Sequence, residues 1–222
     1  GVDLAGGDTT SSYTGLTLCL TAIGDAKGDD IVYRSGAGIN DLICVSGDLG
    51  GAYLGLQVLE RERRLFEKER VAQPVLEGYD YVLERQLKPE ARKDIVQLLE
   101  ENGIVPTSMI DLSDGLSSDL LHICHQSHAG CQLFEERIPI DYQTAVMAET
   151  FNMNVTTVAL NGGEDYELLF TVPLPLHEKM NKLEGIHLVG HITPPEQGYY
   201  LVTRDGQEMQ LRAQGWNPLA GK

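Results

Sequence analysis

The sequence predicts an α+β fold on three observations. Short apolar, β-branched runs stand among segments of helical period, the two do not alternate strictly, and glycine-dense turns separate them with no low-complexity linker. Strict strand–helix alternation would instead have pointed to a doubly wound sheet. At 222 residues the chain can bury a proper core, as one larger domain or as one domain plus a fragment of another.

Residues 16–23 (Leu-Thr-Leu-Cys-Leu-Thr-Ala-Ile) are an apolar run read as a strand, and Ile31-Val32-Tyr33 as a short one before the loop Arg34-Ser35-Gly36-Ala37-Gly38. Leu42 to Ser46 is a further strand, closed by Gly47-Asp48-Leu49-Gly50-Gly51. From Ala52 to about Val71 the pattern is helical, with Leu54, Val58, Leu59, Leu65 and Phe66 on the buried side and interleaved Arg and Glu on a solvated one. A second helix starts at Pro89-Glu90, buries Ile95, Leu98 and Leu99, and ends at Gly103. Ser113 or Asp114 caps a third, running to about His128 with Leu116, Leu120, Leu121 and Cys124 inward. Then come a strand at 131–137, a helix at 141–151, a strand at 166–172 and a short helix at 176–183. Strands at 186–192 and 199–203 complete the reading. The domain boundary falls between residues 28 and 40, where glycine is dense.

The formal net charge of −16 argues against nucleic acid as a partner, since that backbone needs Lys and Arg. It is compatible with phosphate ligands carried by a metal that acidic side chains hold. Cys19, Cys44, Cys124 and Cys131 include no C-x-x-C pair and read as free thiols of a reducing compartment. No run approaches the roughly 20 apolar residues of a membrane span, and no secretory signal is present, so a cytoplasmic protein is expected. The opening Gly1-Val2-Asp3-Leu4-Ala5-Gly6-Gly7-Asp8 reads as the middle of a fold.

Four segments concentrate small residues and acids: 6–10, 34–36, 111–115 and 161–166. A diglycine followed by Asp8 and two hydroxyls can bring backbone amides and a carboxylate to a phosphate, although such a tripeptide alone is more often a turn. Asp111 and Asp114, three apart at a helix start, can address one cation; the same pattern also reads as a double helix cap. The P-loop pattern and the protein-kinase set are both absent. His122, His125 and His128 step by three along one helix, without a convincing fourth ligand, and read as partly exposed helix histidines.

Taken together, Gly-Gly-Asp-Thr-Thr (6–10), Tyr-Arg-Ser-Gly-Ala (33–37), Asp-Leu-Ile-Cys-Val-Ser-Gly-Asp-Leu-Gly (41–50), Ile-Asp-Leu-Ser-Asp-Gly-Leu (110–116) and Leu-Asn-Gly-Gly-Glu-Asp-Tyr-Glu-Leu-Leu-Phe (160–170) resemble the thiamine-monophosphate kinases. That family lies within the aminoimidazole ribonucleotide synthetase-like superfamily. The resemblance implies a C-terminal α+β domain of that superfamily at 35–222, and the last part of an N-terminal α/β, ATP-binding domain at 1–34. It further implies Mg²⁺ at Asp8, Asp111 and Asp114, and ATP phosphates at Gly7, Asp8, Arg34 and Ser113. Thiamine monophosphate would lie at Glu164 and Trp216, the phosphoryl group would pass directly from ATP, and the intact protein would be a homodimer. The family's N-terminal domain carries an earlier segment with a Gly-Asp-Asp metal and nucleotide motif, and that segment is expected to be missing here; Gly28-Asp29-Asp30 reads as part of a turn. The alternatives are a sister cyclo-ligase or hydrogenase-maturation enzyme, and a non-catalytic binding or assembly domain.

Overall fold

The computed structural model describes residues 2–28, 31–69 and 73–213. The chain divides into two compact units, Gly1–Ile31 and Val32–Lys222. In the first, the described residues form no strand or α-helix, so the strand expected at 16–23 is not there. A strand must pass its amides and carbonyls to a neighbour, and no described segment of this unit supplies one. Leu16, Leu18, Leu20 and Ile23 are all exposed. In the second unit, residues 32–33 also fall short of a strand; only the Tyr33 carbonyl is engaged, accepting from the Met109 amide at 2.9 Å.

The second unit is a seven-stranded sheet flanked by helices. In chain order the elements are β1 (Leu42–Ser46), α1 (Gly51–Glu69), α2 (Asp80–Leu87), α3 (Lys93–Glu101), β2 (Ser108–Asp111), α4 (Leu116–Ser127), β3 (Gly130–Phe134), α5 (Tyr142–Thr150), α6 (Val155–Asn161), β4 (Leu168–Val172), α7 (His177–Met180), β5 (Ile186–Thr193), β6 (Tyr199–Val202) and β7 (Glu208–Gln210). The spatial order is β2-β4-β1-β5-β3-β6-β7, and every pairing is antiparallel except β3 with β6. This is the mixed α+β architecture that the pattern of elements predicts.

The period of two in β1 divides the core. Ile43 and Val45 point to the face covered by Leu116, Leu120 and Ile123 of α4. Leu42 and Cys44 point to the other, which Ile95 and Leu99 of α3 and Met180 of α7 cover. Each such side chain contributes on the order of 1.5–3 kcal/mol by leaving water. A third cluster joins α1, α2, α5 and α6 through Leu54, Val58, Val82, Leu83, Met147 and Val158. Gly55 permits the close approach of α1 to α2, because a side chain there would strike the Val82 carbonyl. Leu65 and Phe66, expected on the buried side of α1, are 46% and 56% exposed, because that end of the helix runs beyond the cluster.

Helix ends decide several boundaries. Gly103, at φ +61°, ends α3 as expected: its amide donates to the Glu100 carbonyl at 2.8 Å, and the next amide, of Ile104, donates to that of Leu99 at 2.9 Å. These are the paired bonds of a Schellman stop, with Ile104 buried beyond them. The start of α4 differs from expectation. Its N-cap is Gly115, with φ 104° and ψ 153°, and neither Ser113 nor Asp114 caps it. Only glycine tolerates that conformation, and a Cβ there would lie 2.8 Å from the Leu160 carbonyl oxygen. No described helix is long and apolar enough to cross a membrane.

Candidate functional site

Two loops build the site. One carries Leu112 to Gly115 between β2 and α4; the other carries Gly162 to Glu167 between α6 and β4. Three backbone hydrogen bonds lace them together: Glu164 N–H to Ser113 O at 2.9 Å, Tyr166 N–H to Leu112 O at 2.9 Å, and Leu112 N–H to Glu167 O at 2.8 Å. Reaching this register takes left-handed backbone at Gly163 (φ 69°), Glu164 (61°) and Tyr166 (51°). For a non-glycine residue that conformation costs of order 1–3 kcal/mol, which the lacing must over-determine. It is also why β4 begins at Leu168 and not at the expected Tyr166.

The lacing sets the loop that carries Ser113 and Asp114, next to Asp111, against the loop that carries Glu164. The Tyr166 hydroxyl donates to Glu164 Oε2 at 3.0 Å. That bond is the first cause of a raised Tyr166 pKa, with Asp111 and Asp114 adding their charge. Asp119 in the first turns of α4, a residue that the apolar pattern of this helix concealed, accepts from the Asp114 amide at 3.0 Å. Burial, reinforced by the Asp114 and Asp111 charges, pushes its carboxyl up to about 6. Ligand atoms of Asp114, Asp119 and His122 lie within 4.8 Å of one another.

The neighbouring Asp111 and Asp114 side chains suit a hard divalent cation. They offer carboxylate oxygens, and among the described residues no Lys or Arg pairs with Asp111, Asp114 or Asp119. A concentration of negative charge with no cationic partner is what a bound cation would relieve.

The inward side of the same segment is structural. Residues 164 to 167 alternate exposed, buried, exposed, buried. Asp165 accepts from Gly50 N–H at 2.8 Å and Ala52 N–H at 3.3 Å, capping α1 from a distant part of the chain. Burial raises its carboxyl to about 7, against the opposing pull of those amides and of Arg85. Glu167 accepts from Ser46 Oγ at 2.5 Å and from Arg85 Nη1 at 2.8 Å, and pairs with Arg92. Beside this ion cluster lies a cavity of about 410 Å³, with Tyr81 and Lys88 also in its wall. Sequence reasoning saw the acids of this motif but not their two Arg partners, which sit in and just ahead of short helices far upstream.

Of the remaining predicted residues, one lies elsewhere in the second unit, two belong to the first unit, and one is outside the described residues. Arg34 is exposed, on a loop held where the Gly36 and Ala37 amides both donate to Ser127 Oγ at 3.1 Å. Ser127 ends the 12-residue α4, roughly 18 Å along the helix from its Asp114 end. Gly7 and Asp8 belong to the first unit, where Asp8 Oδ1 accepts from its neighbour Thr9 N–H at 2.8 Å. Trp216 lies outside the described residues. His122, His125 and His128 are exposed, as expected, although His122 does approach the acidic pair.

Comparison with known proteins adds an independent line. No family model matches the chain. It is 33% identical over 222 residues to the thiamine-monophosphate kinase of Buchnera aphidicola subsp. Acyrthosiphon pisum, covering 97% of this chain and 64% of that protein. The corresponding figures for the Escherichia coli K12 enzyme are 32% over 225 residues, 99% and 64%. The chain thus spans somewhat less than two thirds of the curated relatives it matches. Among solved structures it is similar to one described as AaThiL complexed with AMPPCP and TMP, with 31% identity, a TM-score of 0.66, and coverage of 83% of this chain and 53% of that one. A hydrogenase maturation protein HypE in complex with ATP has a TM-score of 0.65 over 88% of this chain and 57% of its own, but only 17% identity, and so shares the fold. Over the stretch that it spans, the chain is similar to the thiamine-monophosphate kinases in sequence and in fold.

Proposed function

We propose that the whole protein transfers the γ-phosphoryl group of ATP to the phosphate of thiamine monophosphate, yielding thiamine diphosphate and ADP, and that the laced face from Asp111 to Glu164 is part of that site. The observation that carries this reading is the interlocking of the two loops, which puts uncompensated carboxylates beside an exposed acceptor, Glu164. The likeness to a relative described as complexed with AMPPCP and TMP supports it.

In this reading Asp8, Asp111 and Asp114 are each Mg²⁺ ligands, while Ser113, Gly7 and Arg34 address the nucleotide phosphates. Bound Mg²⁺ would neutralise charge between two polyanions that must approach in line. Glu164, steadied by Tyr166, offers a carboxylate to the cationic or hydrogen-donating part of thiamine monophosphate, and Trp216 offers it an aromatic face. No side-chain base is required, because a phosphate-ester acceptor is already largely ionised near neutral pH. A homodimer of the whole protein belongs to the same proposal and is checked by its mass in solution. The experiment for the activity is to supply the whole protein with ATP, Mg²⁺ and thiamine monophosphate and to measure thiamine diphosphate. Absence of product from folded protein would overturn the reading.

A further inference from the structure

We infer that Asp119 is a positioning residue, whose buried carboxylate clamps the Asp114 amide and so fixes the Asp111–Asp114 turn in the shape that receives a divalent cation. This rests on the cation reading of Asp111 and Asp114 proposed above. Asp119 is only 1% exposed, and a buried carboxylate is rare without a paired charge. Here, among the described residues, no Lys or Arg pairs with it. Its own amide is already spent inside α4, donating to the Gly115 carbonyl at 3.0 Å. Oδ2 instead reaches back out of the helix, past Gly115, and takes the Asp114 N–H at 3.0 Å.

The turn is therefore held from two sides. Glu164 and Tyr166 donate to the carbonyls of Ser113 and Leu112, while Asp119 accepts from the amide of Asp114. The Gly163 contact closes the gap: a Cβ there would lie 2.6 Å from the Ser113 carbonyl oxygen. With donors and acceptors of the turn both anchored, the Asp114 side chain leaves from a fixed backbone. Partners of this kind, which orient a ligand without touching the ion, typically carry 10–100-fold in metal affinity. His122, an exposed neighbour of the same acids, holds no backbone group of the turn. It separates the clamp from a plain three-ligand site.

The test uses Mn²⁺ alone as the probe, titrated into the whole protein and followed by loss of the free-ion electron paramagnetic resonance signal, well below each variant's melting temperature. Asp119→Asn keeps the shape of the side chain but removes its charge and one acceptor oxygen. The expected result is a Kd for Mn²⁺ weakened about 10–100-fold, with His122→Ala within about twofold of the unsubstituted protein. Unchanged Mn²⁺ affinity in folded Asp119→Asn would overturn the positioning role alone. Equal losses in both variants would overturn it in favour of direct ligation. No Mn²⁺ binding by the unsubstituted protein would remove the cation reading beneath it, and this role with it. Should Asp119→Asn not fold, hydrogen exchange in the unsubstituted protein decides. Slow exchange at the Asp114 amide before any cation is added supports a preformed clamp, and free exchange there overturns it.

Discussion

The Tyr166 phenol and the Glu164 carboxylate meet at 3.0 Å although both residues are forced into left-handed backbone. Two neighbouring strained residues joined by a hydrogen bond form a preset acceptor, with Oε1 of Glu164 left for a ligand. Removing the hydroxyl by Tyr166→Phe keeps the ring and the backbone. A partly exposed bond to a charged group is worth about 0.5–1.5 kcal/mol, so the KM for thiamine monophosphate should rise about 2–10-fold while the KM for ATP stays put. Steady-state kinetics in both substrates checks this, and a parallel rise in both constants would count against it.

The Asp111 and Asp114 carboxylates are spared from capping, since α4 is capped by Gly115. Asp111→Asn and Asp114→Asn should therefore leave the melting temperature nearly unchanged. Activity of the whole protein should fall at least tenfold, because an amide is a poorer ligand for a hard cation. The measurement is activity per folded molecule across a Mg²⁺ titration. Loss of fold with normal specific activity would restore the capping role.

At Gly115 the backbone and the neighbours agree. Its φ of 104° suits glycine alone, and the Leu160 carbonyl occupies the space a methyl would need. Gly115→Ala should cost about 1–3 kcal/mol in urea unfolding. Stability within experimental error of the parent would show that the loop can relax.

Asp165 gives a pH signature. Its carboxyl rises in the folded protein from the ordinary 3.8 to about 7, chiefly through burial. Between about pH 4 and 7 the folded state then binds more protons than the unfolded one. This contribution to stability is present at low pH and is lost as pH rises through that window. Urea unfolding at pH 5 and pH 8 should show a larger loss for the parent than for Asp165→Asn; equal losses would remove Asp165 as the source.

Elements with a clear apolar run or period were legible in the sequence, while α2, β2, α6 and β7 were not. β1, α1, α3, α4 and β5 each carry enough apolar repeats to declare their period. α2 buries only Val82 and Leu83 in eight residues, and α6 is a seven-residue helix rich in β-branched residues that read against helix. β2 has four residues, two of them polar, and takes its identity from pairing with β4. Within the site, the acids could be listed but not sorted. The left-handed turns at Glu164 and Tyr166 decide which of them face outward, and the lacing that imposes those turns is tertiary. Asp119 was hidden because a carboxylate among Leu116, Leu120 and Ile123 carries no periodic signal of its own.

The in-and-out alternation of residues 164 to 167 has an evolutionary corollary. Asp165 and Glu167 rivet the segment to α1 and to the two arginines, whereas Glu164 and Tyr166 point away from both. Stability and, in the proposed function, recognition would thus be written on alternate letters of one short word. Substitutions that retune the acceptor can accumulate at 164 and 166 while the anchors beneath them stay under separate selection. A saturation library confined to those two positions, assayed for new phosphate acceptors, would explore chemistry with the scaffold held constant.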